Sequence, residues 1–119
     1  MLRLPKDKKI PQTLARSRRQ EKDLAKRIGG QTTIASGALD VKGDVRKKGI
    51  LRIEAKTTSK ASFSVTREMI QKIEDAALPA GEFPAIEIEF TDMFGKSLHK
   101  VAVVPVYVLE LMGGWRGNL

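Results

Sequence analysis

The chain is expected to fold as a single α/β domain, one central sheet flanked by helices. Three observations predict it. Two segments place apolar residues at three- and four-residue spacing, several others alternate apolar and polar residues with period two, and the two kinds of segment interleave. The 119 residues, 41% hydrophobic and 30% charged, suit one core that buries about two-thirds of the surface of the unfolded chain.

Met1 to Gln12 mixes Lys6, Lys8 and Lys9 with Pro5 and Pro11 and reads as a flexible basic arm. From Thr13 the pattern is helical: Leu24, Ala25 and Ile28 form an apolar stripe, cations cover the other faces, and Gly29-Gly30 supplies the stop. Gln31 to Ile34 reads as a short strand, followed by the small-residue loop Ala35-Ser36-Gly37-Ala38. A hairpin follows, with Val41, Gly43 and Val45 alternating against Lys42, Asp44 and Arg46, and Leu51, Ile53 and Ala55 alternating against Arg52, Glu54 and Lys56. Lys47-Lys48-Gly49 is the expected loop, with Gly49 in the left-handed position.

After the polar stretch Thr57 to Ser62, a helix is expected from Thr66 to Leu78, with Met69, Ile70, Ile73 and Ala77 inward and Pro79 beyond its end. Ala85 to Phe90 is expected as a strand with Ile86, Ile88 and Phe90 inward and Glu87 and Glu89 outward. Thr91 to Lys96 is a turn, His99 to Val104 a further strand, and Pro105 opens a short helix to Met112. The domain thus spans 13–112, and 113–119 is a frayed tail.

Cysteine is absent, which excludes disulfide scaffolds, thiolate zinc sites and cysteine nucleophiles. No apolar run approaches a membrane span and the charged start lacks a secretory h-region, so an intracellular, cytoplasmic protein is expected. The net charge of +8 is uneven: residues 1–30 hold ten Lys/Arg against three Asp/Glu, residues 31–60 seven against three, and residues 61–119 five against eight. Such a cationic half suits a polyanion, nucleic acid before a membrane surface, because the basic segment has no insertion face. A solvated basic surface without a partner is the plain alternative.

Hairpin geometry brings carboxylates together. With Lys47, Lys48 and Gly49 as the loop, Arg46 faces Ile50 and Asp44 faces Arg52, so Asp44 lies diagonal to Glu54, within reach of one shared cation. Lys56 points to the same face as Glu54 and can hold a water or a phosphate oxygen. Surface salt bridging accounts for a lone Glu-x-Lys. The combination with a basic surround and with Glu21, three residues before Leu24 on the helix stripe, points instead to a hard-oxygen magnesium site for phosphodiester hydrolysis. Taken from the helix alone, an exposed Glu21 paired with Arg18 or Lys22 is the favoured reading.

At these residues the chain resembles the PD-(D/E)XK nuclease superfamily, and within it the small archaeal-type and phage Holliday junction resolvases. The likeness runs from Ser17 to Phe90: Arg19-Gln20-Glu21, the Ala35-Ser36-Gly37 loop, Gly43-Asp44-Val45, and Ile53-Glu54-Ala55-Lys56-Thr57. Gly43 stands where the superfamily name has proline, and the likeness fades in the acidic half. The resemblance implies a restriction-endonuclease-like fold in which Asp44, Glu54 and the Ala55 carbonyl ligate Mg²⁺, with Mn²⁺ as a substitute. It further implies that Glu21 acts on the metal directly or through water, that Lys56 orients the attacking water, and that Ser36 touches the scissile phosphate or the metal shell.

The function so implied is a homodimeric, structure-selective endonuclease that resolves four-way junctions of DNA by paired nicks, with no small-molecule substrate. A nicking or restriction-like nuclease, or a non-catalytic nucleic-acid binder, are the alternatives. DNA contacts are expected from Arg16, Arg18, Arg19, Lys22, Lys47, Lys48 and Lys60, with Lys6, Lys8 and Lys9 on the arm. His99 reads as a polar strand residue and Gln71 as an exposed glutamine that could reach the site. Phe63 and Val65 fit either core packing or a dimer contact, and Trp115 and Tyr107 are too isolated for a stacking platform.

Overall fold

The computed structural model describes residues 12–32 and 44–113, with the backbone alone for 12–15, 17 and 44. The Lys6, Lys8 and Lys9 arm, the Ser36 loop, Val41, Gly43 and Trp115 lie outside the described residues. The architecture is mixed α/β: helix α1 (Gln12–Ile28), strands β1 (Gln31–Thr32), β2 (Asp44–Lys47) and β3 (Leu51–Thr58), helix α2 (Arg67–Ala77), a 3₁₀ turn (Leu78–Ala80), strands β4 (Phe83–Thr91) and β5 (Ser97–Val103), and helix α3 (Val106–Leu111). The five strands form one sheet in chain order, antiparallel except for the central pair β3–β4. A parallel pair needs a long crossover, which α2 supplies. Thr66 starts that helix, its Oγ1 accepting the Met69 N–H at 3.2 Å.

Each helix covers one face. Leu24 and Ala25 of α1 pack on Val45, Ile53, Ala55 and Ala85, with Ile28, Leu51 and Val104 at the margin. On the other face Met69, Ile70 and Ile73 of α2 meet Ile86, Ile88, Phe90 and Val103, with Phe63 packed beside them. The core-packing reading of Phe63 is therefore the one the structure shows, while Val65 is exposed.

Covering both faces overturns the outward placement of Glu87 and Glu89. Glu87 is buried under α1 and Glu89 half-buried. A buried carboxylate is tolerated only with partners, and Glu87 has them: Arg27 donates to it at 2.9 Å and the Gln20 amide at 3.2 Å. Lys100 lies 3.8 Å from Glu89.

The hairpin register also differs from expectation. Lys47 pairs with Leu51 and Arg46 with Arg52, so the loop is Lys48-Gly49-Ile50 and Asp44 stands directly opposite Glu54. Two contacts select this register. Ile50 N–H closes the turn on the Lys47 carbonyl at 2.9 Å, with Gly49 at φ 75° in the middle. Behind it, the Glu82 carboxylate accepts the Gly49 N–H at 3.0 Å and gathers Arg46 and Arg52 side by side. Other boundaries move by a residue or two. The fourth strand begins at Phe83 rather than Ala85, the fifth at Ser97 rather than His99, and Pro105 precedes the last helix as its N-cap.

Candidate active site

Strand β3 runs through the middle of the sheet and carries the two chemically informative side chains on the α2 face. Glu54 registers with Ile86 and Lys56 with Ile88, both core residues of that face. Glu54 is 7% exposed, yet its carboxylate is satisfied: Lys56 Nζ lies 2.9 Å from Oε2. As described, β2 begins at Asp44, whose backbone stands across the ladder from Glu54. In an antiparallel ladder direct partners have Cβ atoms about 4.5–5.5 Å apart, closer than the diagonal placement expected from the sequence. Ala55 lies between Glu54 and Lys56, buried on the α1 face. Among the described residues no group of three or more His, Asp or Glu side chains is close enough to hold a metal.

The inner stripe of α1, with Glu21 three and four residues before Leu24 and Ala25, does not face this pair. That stripe seats on the opposite face of the sheet, against Val45, Ile53, Ala55 and Ala85. The polar residue it buries is Gln20, 2% exposed, whose amide donates to the Lys56 carbonyl at 2.9 Å. Glu21, half-buried, sits about 100° further round the helix, on the flank shared with Ala25. The α1 face carries its own charged set in Glu87, Arg27, Glu89 and Lys100.

A second charged cluster, missed in the sequence, closes the other end of the hairpin. Glu82 has a side chain with no exposed surface and bridges Arg46 at 2.6 Å and Arg52 at 3.0 Å. Burial alone would raise its carboxyl, but the donors from Arg46, Gly49 and Arg52 outweigh burial and hold it below its ordinary value. The only signal for it in the sequence is an acidic residue just after Gly81. Its partners lie 30 and 36 positions away, so no local pattern could have named them.

The expected DNA contacts divide by exposure. Arg18, Arg19, Lys22, Lys47, Lys48 and Lys60 are exposed, whereas Arg16 is half-buried and donates to the Met93 carbonyl at 3.0 Å. Arg19, Lys22 and Lys26 line a shallow groove along α1 that ends at Gly30 and Thr32. Gln71 is exposed and bonds Asp75 at 2.9 Å, and His99 is an exposed strand residue. Tyr107 caps α2 laterally, its hydroxyl donating to Glu74 at 2.6 Å. No described helix is long and apolar enough to cross a membrane. Comparison with protein-family models, curated proteins and solved structures returns no match to this chain.

Proposed function

We propose that the protein is a Mg²⁺-dependent endonuclease that resolves branched DNA, four-way junctions foremost, as a homodimer. The observation that carries this reading is the β2–β3 register, which sets Asp44 opposite Glu54 with Lys56 two residues on. The donor chemistry fits a hard cation, since carboxylate and carbonyl oxygens are the available ligands and neither cysteine nor a histidine cluster is present. Asp44 and Glu54 would hold the ion. The resemblance adds the Ala55 carbonyl, Glu21 and Ser36. When bound, Mg²⁺ supplies a lowered pKa for an attacking water and neutralises phosphate charge.

The residues themselves do the rest. Glu54 is fixed by its burial in the central strand, so its oxygens need little reordering. Lys56 pairs with Glu54, and turning to a phosphate oxygen would let it offset the charge that gathers there as water adds to phosphorus. The bond to the 3′ oxygen then breaks, leaving a 3′-hydroxyl and a 5′-phosphate. The exposed cations of α1 and the hairpin loop supply phosphate contacts that position without reading sequence.

Incubating the protein with Mg²⁺, a four-way junction and a linear duplex of the same sequence tests the reading. Symmetric nicks in the junction alone support it. Cleavage of both substrates moves the protein to a general nuclease of the same kind. A second reading, a binder without catalysis, draws on Glu54 and Lys56 satisfying each other as an ion pair; retarded but intact junction would favour it.

A further inference from the structure

The turn between β4 and β5 carries two large apolar side chains into solvent, Met93 at 73% and Phe94 at 82% exposure. One exposed apolar residue is ordinary. Two in succession at the tip of a firmly built turn are not accounted for by folding. The Asp92 carboxylate accepts the N–H groups of Phe94 and Lys96, each at 2.8 Å. Asp92 N–H donates to the Lys96 carbonyl at 2.9 Å and Gly95 N–H to the Asp92 carbonyl at 3.1 Å. From the side, Arg16 donates to the Met93 carbonyl at 3.0 Å, and its guanidinium lies so near Gly95 (φ 88°) that a Cβ there would stand 2.8 Å from Nε. The backbone is held from two directions while the side chains face out.

A preorganised aromatic on a cationic rim suits one class of partner. Arg16 and Lys96 flank the tip, and the Asp92 carboxylate is occupied by two backbone donors. Lys60 lies on the neighbouring segment, with Asp92 and Leu98 around the same cavity. The tip also projects from the end of the sheet that carries the candidate site: Lys56 registers with Ile88, and the five residues from there to Met93 span at most about 17 Å. That reach is no more than about five base pairs at about 3.4 Å each.

We propose that Phe94, supported by Met93, is a wedge that stacks on unstacked bases at the branch point of DNA. The inference rests on the nucleic-acid reading above and deepens it by naming what selects branched over linear DNA. Inside a duplex both faces of each base are covered, so an entering ring must first unstack a step. At a branch point that cost is already met, and ring–base stacking appears as added affinity.

The test uses the full chain in Ca²⁺, which slows cleavage, with a four-way junction carrying 2-aminopurine beside the branch point and a linear duplex of the same sequence. Wild type is expected to change the probe's fluorescence on the junction and not on the duplex. Phe94→Ala should lose that change and about ten- to a hundred-fold in junction affinity, keep duplex affinity within about twofold, and melt as wild type does. Phe94→Trp should restore both signals. Equal junction affinity for wild type and Phe94→Ala, an equal loss on both DNAs, or a change of oligomeric state in sedimentation would overturn the wedge and leave the nuclease reading standing. A wild-type protein that binds neither DNA would remove that reading, and the wedge with it.

Discussion

Glu82 shows what one buried carboxylate can organise. Its oxygens take three kinds of donor, from Arg46, Arg52 and the Gly49 N–H, and its side chain has no exposed surface. Glu82→Gln should destabilise the fold by about 3 kcal/mol, the lower bound for removing one member of a buried pair, since Arg46 and Arg52 remain partly solvated. Because the folded carboxyl titrates below its ordinary value, its stabilisation is complete above about pH 4.3 and is lost as pH falls through the lower, folded value. Chemical denaturation across that acid range should therefore show a flatter limb for Glu82→Gln than for wild type. Glu54 forecasts a different pattern. Glu54→Gln removes the charged partner 2.9 Å from Lys56 and should cost about 1.5–3 kcal/mol, abolish junction cleavage in Mg²⁺, and leave junction binding equal or tighter because one negative charge facing the phosphates is gone. Full activity in gel assays of this variant would place the chemistry elsewhere.

The last helix is tethered by a polar side-chain contact. α3 has six residues, too few to be stable alone, and it is held by burial of Val108 and by the Tyr107 hydroxyl on Glu74. Burial first, and then the neighbouring Glu74 carboxylate, push the Tyr107 phenol up to about 12. Tyr107 is the only tyrosine in the chain, so alkaline absorbance titration reads it without overlap. Its midpoint should lie near 12 and fall only part of the way back in Glu74→Gln, because burial, the larger cause, remains. The neutral phenol is favoured in the folded state, so its contribution to stability is whole below about pH 10 and disappears as pH rises through the folded value. Tyr107→Phe should remove that alkaline loss and cost about 1 kcal/mol at neutral pH.

Charge is divided across the molecule by what each cation touches. Arg27, Arg46 and Arg52 are committed to carboxylates inside the fold, so the net charge of +8 overstates the cations available to phosphates. The exposed set on α1 and the hairpin loop is available. Arg19→Ala, Lys22→Ala and Lys26→Ala should each flatten the slope of log affinity against log salt by about 0.9 on duplex arms. Arg46→Ala should lower stability and leave the slope unchanged. Fluorescence anisotropy from 50 to 200 mM salt, roughly the range over which such contacts weaken strongly, separates the two groups.

Local pattern was enough for the α/β class, the order of helices and strands, the apolar faces of α1 and α2, and the Glu54–Lys56 spacing, because each depends on residues within one or two turns or a few strand positions. The register of β2 on β3 was not legible. Gly49 permits the left-handed residue at more than one place in a three-residue loop, and the choice falls to Glu82, which arrives from more than thirty residues later. Nor could period-two alternation settle which face Glu87 and Glu89 occupy. A strand buried on both sides has no solvent face to mark, and those carboxylates are admitted by Arg27, Gln20 and Lys100 from other segments. Glu21 and Gln20 show the same division at a single position. The helical stripe was readable, but the burial of Gln20 against the sheet depends on how the helix is rotated on it, and packing of Leu24 and Ala25 on Val45, Ile53, Ala55 and Ala85 sets that rotation.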